Sequence, residues 1–197
     1  MKRWSLIALF LLPLLIAAPQ ARAAQEVFHH FVWGVSREDV LKFETAVFYQ
    51  TLDGSLYFVE DGTDKKVIRY DFQGNKLWRI REYYSELHKP NPQMVMNMLI
   101  DVSNRLKSRY GAPQKEELIW KDRTYRNYPQ FYARAYGMGD LTFRTTWEND
   151  VSVITLESYY DGEFYQLGTT LQDKKTAPEA ASGQEIFKTF NFNLKPQ

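Results

Sequence analysis

A chain of 197 residues with 25 basic and 24 acidic side chains is long enough to bury one core, and its charges nearly cancel, which excludes a global field for nucleic acid or an anionic membrane. It has no cysteine, which excludes disulfides, thiolate metal sites and a lipid-modified N-terminal cysteine. Aromatics make up 16% of the chain, ordinary for a domain built of strands.

The first residues have the three parts of a secretory signal. Lys2 and Arg3 begin it, Trp4 to Ala18 is almost wholly apolar, and Ala21-Arg22-Ala23 offers a small-residue cleavage site. The apolar run is shorter than the roughly 20 residues that span a bilayer. The expectation is cleavage after Ala23, a mature chain without a transmembrane anchor, and a periplasmic (or secreted) location. Loss of Lys2, Arg3 and Arg22 leaves 22 basic residues against 24 acidic ones, a net charge of −2.

Ser36 and Asp39 form a capping pattern for a first helix, with Val40, Leu41, Phe43 and Val47 as its apolar face. From about Phe48 to Tyr84 four strands alternate with turns. Asp53-Gly54 is a two-residue hairpin signal that pairs Thr51 with Leu56 and Tyr49 with Phe58. Turns at Glu60–Asp64 and Gln73-Gly74-Asn75 complete an antiparallel meander. Asn91 then caps a second helix, with Pro92 in its first turn and Gly111 and Pro113 beyond its end. Val95, Leu99, Val102, Leu106 and Tyr110 make its buried stripe, widened by Met94, Met98 and Ile100.

A strand over Glu116–Lys121 follows, then an irregular stretch. Leu141–Glu148 and Val151–Tyr160 read as two long strands joined by Asn149-Asp150. Their alternation puts Leu141, Phe143, Trp147, Ile154 and Leu156 on one face, and Thr142, Arg144, Thr146, Thr155 and Glu157 on the other. Asp161-Gly162 turns into a last strand over Phe164–Leu171. The fold class is therefore α+β: antiparallel meanders of about eight strands, with two main helices packed on one face. The single domain runs over 24–171 as two helix-plus-meander units, about 36–84 and 91–171. Residues 172–185 read as a linker. In the tail 186–197, the alternation around Phe190 and Phe192 fits an added edge strand and a frayed terminus equally well.

Trp33-Gly34-x-Ser36-x-x-Asp39-Val40, then Tyr70-x-Phe72-x-Gly74-x-x-Leu77, then Tyr110-Gly111-x-Pro113, resembles small exported bacterial domains. The pattern is similar to the helix-plus-meander units of the β-lactamase-inhibitor-like and BamE-like folds. That resemblance implies a domain that binds other proteins and catalyses nothing. It carries over no functional residue.

Catalytic material is sparse. His29, His30 and His88 are the only histidines, and no Gly-x-Ser-x-Gly elbow, HExxH or nucleotide fingerprint occurs. No cofactor is implied. Acidic pairs at Glu60-Asp61, Glu116-Glu117 and Glu148-Asp150 leave a cell-wall glycan hydrolase as one alternative. A carrier holding an apolar ligand between sheet and helices is another. The unusual segment is Lys121–Tyr136. There Arg123, Arg126 and Arg134 lie among Tyr125, Tyr128, Phe131, Tyr132 and Tyr136, with Asp122 the lone acid. Tyr and Arg anchor protein interfaces and also stack on sugars. The bland alternative is a short helix between Pro129 and Gly137 that packs its rings on the sheet. The candidate partner contacts are thus Arg123, Tyr125, Arg126, Tyr128, Tyr132 and Arg134, and the candidate partner is another envelope protein or a glycan.

Overall fold

The computed structural model describes residues 31–60, 65–84 and 91–176. The expected signal segment, all three histidines, Asp61 and the tail lie outside the described residues. The described residues form three α-helices and one eight-stranded antiparallel sheet: α1 (Arg37–Phe43), β1 (Val47–Leu52), β2 (Ser55–Glu60), β3 (Lys66–Gln73), β4 (Lys76–Tyr84), α2 (Pro92–Tyr110), β5 (Lys115–Trp120), α3 (Tyr132–Gly137), β6 (Leu141–Glu148), β7 (Ser152–Tyr160) and β8 (Tyr165–Asp173). The strand order is β1-β2-β3-β4-β8-β7-β6-β5, so each half is a meander and the halves join where β4 pairs with β8. Strand β8 runs to Asp173, through the first two residues of the expected linker. Among the described residues no helix is long and apolar enough to cross a membrane.

The join requires the chain to travel from β4, at the centre, to β5, at the far edge. Four strand spacings of roughly 4.8 Å make about 19 Å. The 19 residues of α2 cover about 28 Å at 1.5 Å each, so the helix bridges that distance. Its N-cap is built as expected, with Asn91 Oδ1 accepting from Met94 N at 3.2 Å and Pro92 following. Gly111 ends it at φ +81°, a left-handed value that disfavours a side chain. Val95, Val102 and Leu106 are buried, with Leu99 and Tyr110 packed beside them. Met94 and Ile100 do not widen the stripe; both are exposed, because they fall outside its arc.

The first helix is shorter than its apolar pattern implied. Ser36 Oγ accepts from Asp39 N and donates to Asp39 Oδ2, but the helix stops at Phe43. Only Val40 is buried; Leu41 and Phe43 face out, and Val47 opens β1 instead of extending a helical face. In the first hairpin, Asp53 (φ +48°) and Gly54 (φ +75°) both take left-handed values, as a two-residue primed turn requires. Thr51 pairs with Leu56, yet Phe48 rather than Tyr49 lies opposite Phe58. A bulge at Tyr49 supplies the extra residue, and the Phe48 and Phe58 rings meet edge-on at 5.5 Å.

The β6–β7 connection also departs from the expected register. Glu148 pairs with Val153, leaving a four-residue loop. The Asn149 side chain builds it by accepting from Val151 N and Ser152 N at 3.0 and 2.8 Å. The shift relative to a two-residue loop is even, so each side chain keeps its expected face. Trp147 and Ile154 pair in the core, and Arg144 pairs with Glu157 on the other side.

The buried cluster takes Leu56, Phe58, Ile68, Tyr70, Leu77 and Ile80 from the first meander and Leu141, Trp147, Ile154, Leu156, Leu167 and Leu171 from the second. Val40 of α1, Val95, Val102 and Leu106 of α2, and Ala135 and Tyr136 of α3 join it. Its polar edges are tied. Trp147 Nε1 donates to Gly111 O at 3.0 Å, and Trp33 Nε1 donates to Ser152 Oγ at 2.8 Å.

Candidate functional site

The irregular stretch between β5 and β6 is anchored at both ends. Lys121 N donates to Asp140 O at 2.8 Å, which closes it as a loop off the last two strands of the sheet. A turn follows in which Asp122 Oδ1 accepts from both Thr124 N and Thr124 Oγ1. These bonds hold the Asp122 carboxyl below its usual range. A 3₁₀ turn over Pro129–Phe131 leads into α3. Tyr136 is buried there, with its hydroxyl 2.6 Å from Ser158 Oγ and its ring stacked on Tyr165 at 5.2 Å. Burial pushes its phenol well above the ordinary range.

The six candidate contacts divide. Arg123, Arg126, Tyr128 and Arg134 are exposed, while Tyr125 and Tyr132 are half-buried against the core. Tyr132 is largely structural: its ring meets Trp120 of β5 at 5.2 Å, and its hydroxyl donates to Arg126 O at 2.9 Å. The others form a surface. The Phe131 ring lies 5.5 Å from Tyr125 and 6.3 Å from Tyr128, and Arg134 sits over Tyr125 at 5.6 Å. Tyr128 is 52% exposed, Phe131 41% and Met138, just past α3, 57%. Phe131 was outside the candidate set, although its spacing from Tyr128 already placed both on one short turn. The packing expected of a short helix therefore holds in full for Tyr136 and in part for Tyr132 and Tyr125, while Tyr128 and Phe131 are turned outward.

Four members of the acidic pairs are each engaged by a lysine. Glu60 meets Lys66, Glu116 meets Lys107 and Glu117 meets Lys115, each at 2.8 Å; Glu148 meets Lys174 at 2.5 Å. Glu116 and Glu117 are adjacent in β5 and so project to opposite faces. Among the described residues no group of three or more His, Cys, Asp or Glu side chains has the arrangement to hold a metal ion.

A second charged constellation lies on the strands of the first meander, on the face opposite the core. Asp71 of β3 accepts from four side chains. Ser55 Oγ and Arg69 Nε reach Oδ1, each at 2.6 Å, and Arg79 Nε and Arg81 Nη2 reach Oδ2, each at 2.7 Å. Register explains the gathering. Asp71 lies opposite Arg79, and Arg69 lies opposite Arg81, a like-charge cross-strand pair that needs a counter-ion. Burial pushes the Asp71 carboxyl up, but the guanidinium groups of Arg81, Arg79 and Arg69 outweigh it and hold the group below its usual range. The charges at alternate positions, Arg69-x-Asp71 and Arg79-x-Arg81 flanking the Gly74-Asn75 turn, were the signal in the sequence that could have found this cluster. No protein-family model, curated protein or solved structure matches this chain.

Proposed function

We propose that this chain is a non-enzymatic, protein-binding domain that acts after export, and that Tyr125, Tyr128, Phe131 and Arg134 are its contact surface. The observation that carries the proposal is the contiguous group of exposed rings beside α3. Exposed aromatics in mutual contact offer a partner large area at low entropic cost, and flanking arginines supply directional bonds. The surface is pre-organised: Tyr136 and Tyr132 pin its base to the sheet, so little ordering remains to be done on binding. Arg123, Arg126 and Arg134 favour an acidic partner.

The reading fits what the resemblance to β-lactamase-inhibitor-like and BamE-like domains implies. It includes the two main helices packed on a single face of the sheet. The test uses the exported full-length chain immobilised and exposed to envelope extract. Tyr128→Ser with Arg134→Ala is expected to lose a partner that the wild type retains, with an unchanged melting temperature. Ile100→Ser on α2 serves as an exposed-site control and is expected to keep that partner. Equal recovery by all three proteins would sink the assignment.

A further inference from the structure

The sheet ends in an open strand beside the aromatic surface. Among the described residues β5 closes the strand order, with no strand beyond it. It pairs with β6 in unbroken register over all six residues, whereas β1, the opposite edge, carries the bulge at Tyr49. Bulges and charged side chains are the usual means of blunting an exposed edge. In β5 the charges, Lys115, Glu116 and Glu117, all lie at one end; Leu118-Ile119-Trp120 at the other end has none.

Register settles which backbone groups face outward. Lys121 N donates to Asp140 O at 2.8 Å, one step beyond the Trp120–Leu141 pair. Hydrogen-bonded and non-hydrogen-bonded pairs alternate along an antiparallel ladder. Glu117 and Ile119 therefore bond to β6, and the N–H and C=O groups of Glu116, Leu118 and Trp120 point away from the sheet. Side chains are open on both faces of this edge. Leu118, opposite Phe143 on the core face, is 44% exposed, and Ile119, on the other face, is 38% exposed.

Charge is one-sided along the edge. Past its apolar end, Lys121, Arg123 and Arg126 are exposed and pair with no carboxylate among the described residues. The Asp122 carboxylate is taken by Thr124. At the other end Glu116 and Glu117 already meet Lys107 and Lys115. We infer that β5 accepts an extended peptide as an added antiparallel strand, with apolar residues along Leu118–Trp120 and, before them in the peptide, acidic residues that reach Lys121 and Arg123. Main-chain bonds to Leu118 and Trp120 supply affinity, and the basic end sets orientation. The Trp120 ring, 5.2 Å from that of Tyr132, joins the edge to the aromatic surface. Strand addition here rests on the protein-binding reading of that surface and gives the form its partner takes.

The experiment reads backbone amide exchange by NMR in the full chain. The probe is an acetylated, amidated peptide of two aspartates, three valines and three threonines in that order; its control has lysines in place of the aspartates. At saturation the Leu118 and Trp120 amides are expected to exchange about tenfold more slowly, while Glu117 and Ile119, already in the ladder, are unchanged. The control peptide is expected to bind more weakly. Leu118→Pro removes an outward N–H and no ladder bond, and is expected to abolish the slowing at Trp120. The alternating pattern in the wild type is a readout that needs no variant. Unchanged Leu118 and Trp120 amides, slowing of every β5 amide alike, or equal binding of the two peptides overturns the inference. So does slowing that needs no peptide and grows with protein concentration, which assigns the edge to a second copy. An envelope partner lost by Tyr128→Ser with Arg134→Ala yet kept by Leu118→Pro retains the aromatic surface and removes strand addition. Alternate slowing by the peptide in that double variant, with no envelope partner lost, does the reverse.

Discussion

Replacing Asp71 by Asn tests the charged face most severely. The substitution keeps the shape and removes the charge, so Arg69, Arg79 and Arg81 face an amide where each had a carboxylate oxygen within 2.7 Å. Asp71 and Arg81 are both nearly buried. Breaking a buried pair by removing one partner costs about 3–5 kcal/mol. For a domain of this size each kcal/mol moves the melting temperature by about 2–4 °C, so a fall of roughly 6–20 °C is expected. The pH dependence carries the same sign. The folded-state value of Asp71 is depressed, so its stabilisation is present above the unfolded value of about 3.9 and disappears as pH falls through the folded one. Urea unfolding followed by circular dichroism from pH 7 downward should therefore show the wild-type and Asp71→Asn curves converging in acid. A loss below about 1 kcal/mol at pH 7, the size of an exposed ion pair, would refute the reasoning.

Other expectations follow from the packing. Leu106→Ala should cost about 2–5 kcal/mol in urea unfolding, because Leu106 is buried in the α2 stripe. Gly139→Ala should lower stability by at least about 1 kcal/mol, since Gly139 has φ +76° and a Cβ there would lie 3.1 Å from Tyr160 O; thermal unfolding with no loss would contradict that geometry. Burial pushes the Tyr57 phenol up to about 12 and also raises Tyr84 and Tyr136. Because these values are raised, their stabilisation is complete below the unfolded value of about 10 and is lost as pH climbs through the folded one. Tyrosinate absorbance in an alkaline titration should then rise in two stages, the later one coincident with unfolding.

Local chemistry made much of this fold legible in the sequence. Asn91-Pro92 and Gly111 bound α2 because capping and left-handed backbone depend on a few adjacent atoms. Asp53-Gly54 set the first hairpin for the same reason, and strand alternation placed Arg144 and Thr146 on the face away from Trp147. The aromatic and arginine content of Lys121–Tyr136 was equally visible. Which rings point outward was not, because that depends on where Tyr136 finds the Ser158 and Tyr165 positions of distant strands.

Only the tertiary structure decided the features that join separate segments. The bulge at Tyr49 breaks the alternation of β1 by bringing Phe48 instead of Tyr49 opposite Phe58, and the even register shift after Asn149 leaves the alternation intact; neither is marked by the pattern of residues. The pairing of β4 with β8 brings residues about ninety positions apart into register, and it alone sets Arg81 beside Thr170. Periodicity specifies which face a side chain takes. Partnership across a sheet is chosen by the packing of the whole chain, and there the four donors that meet Asp71 come together.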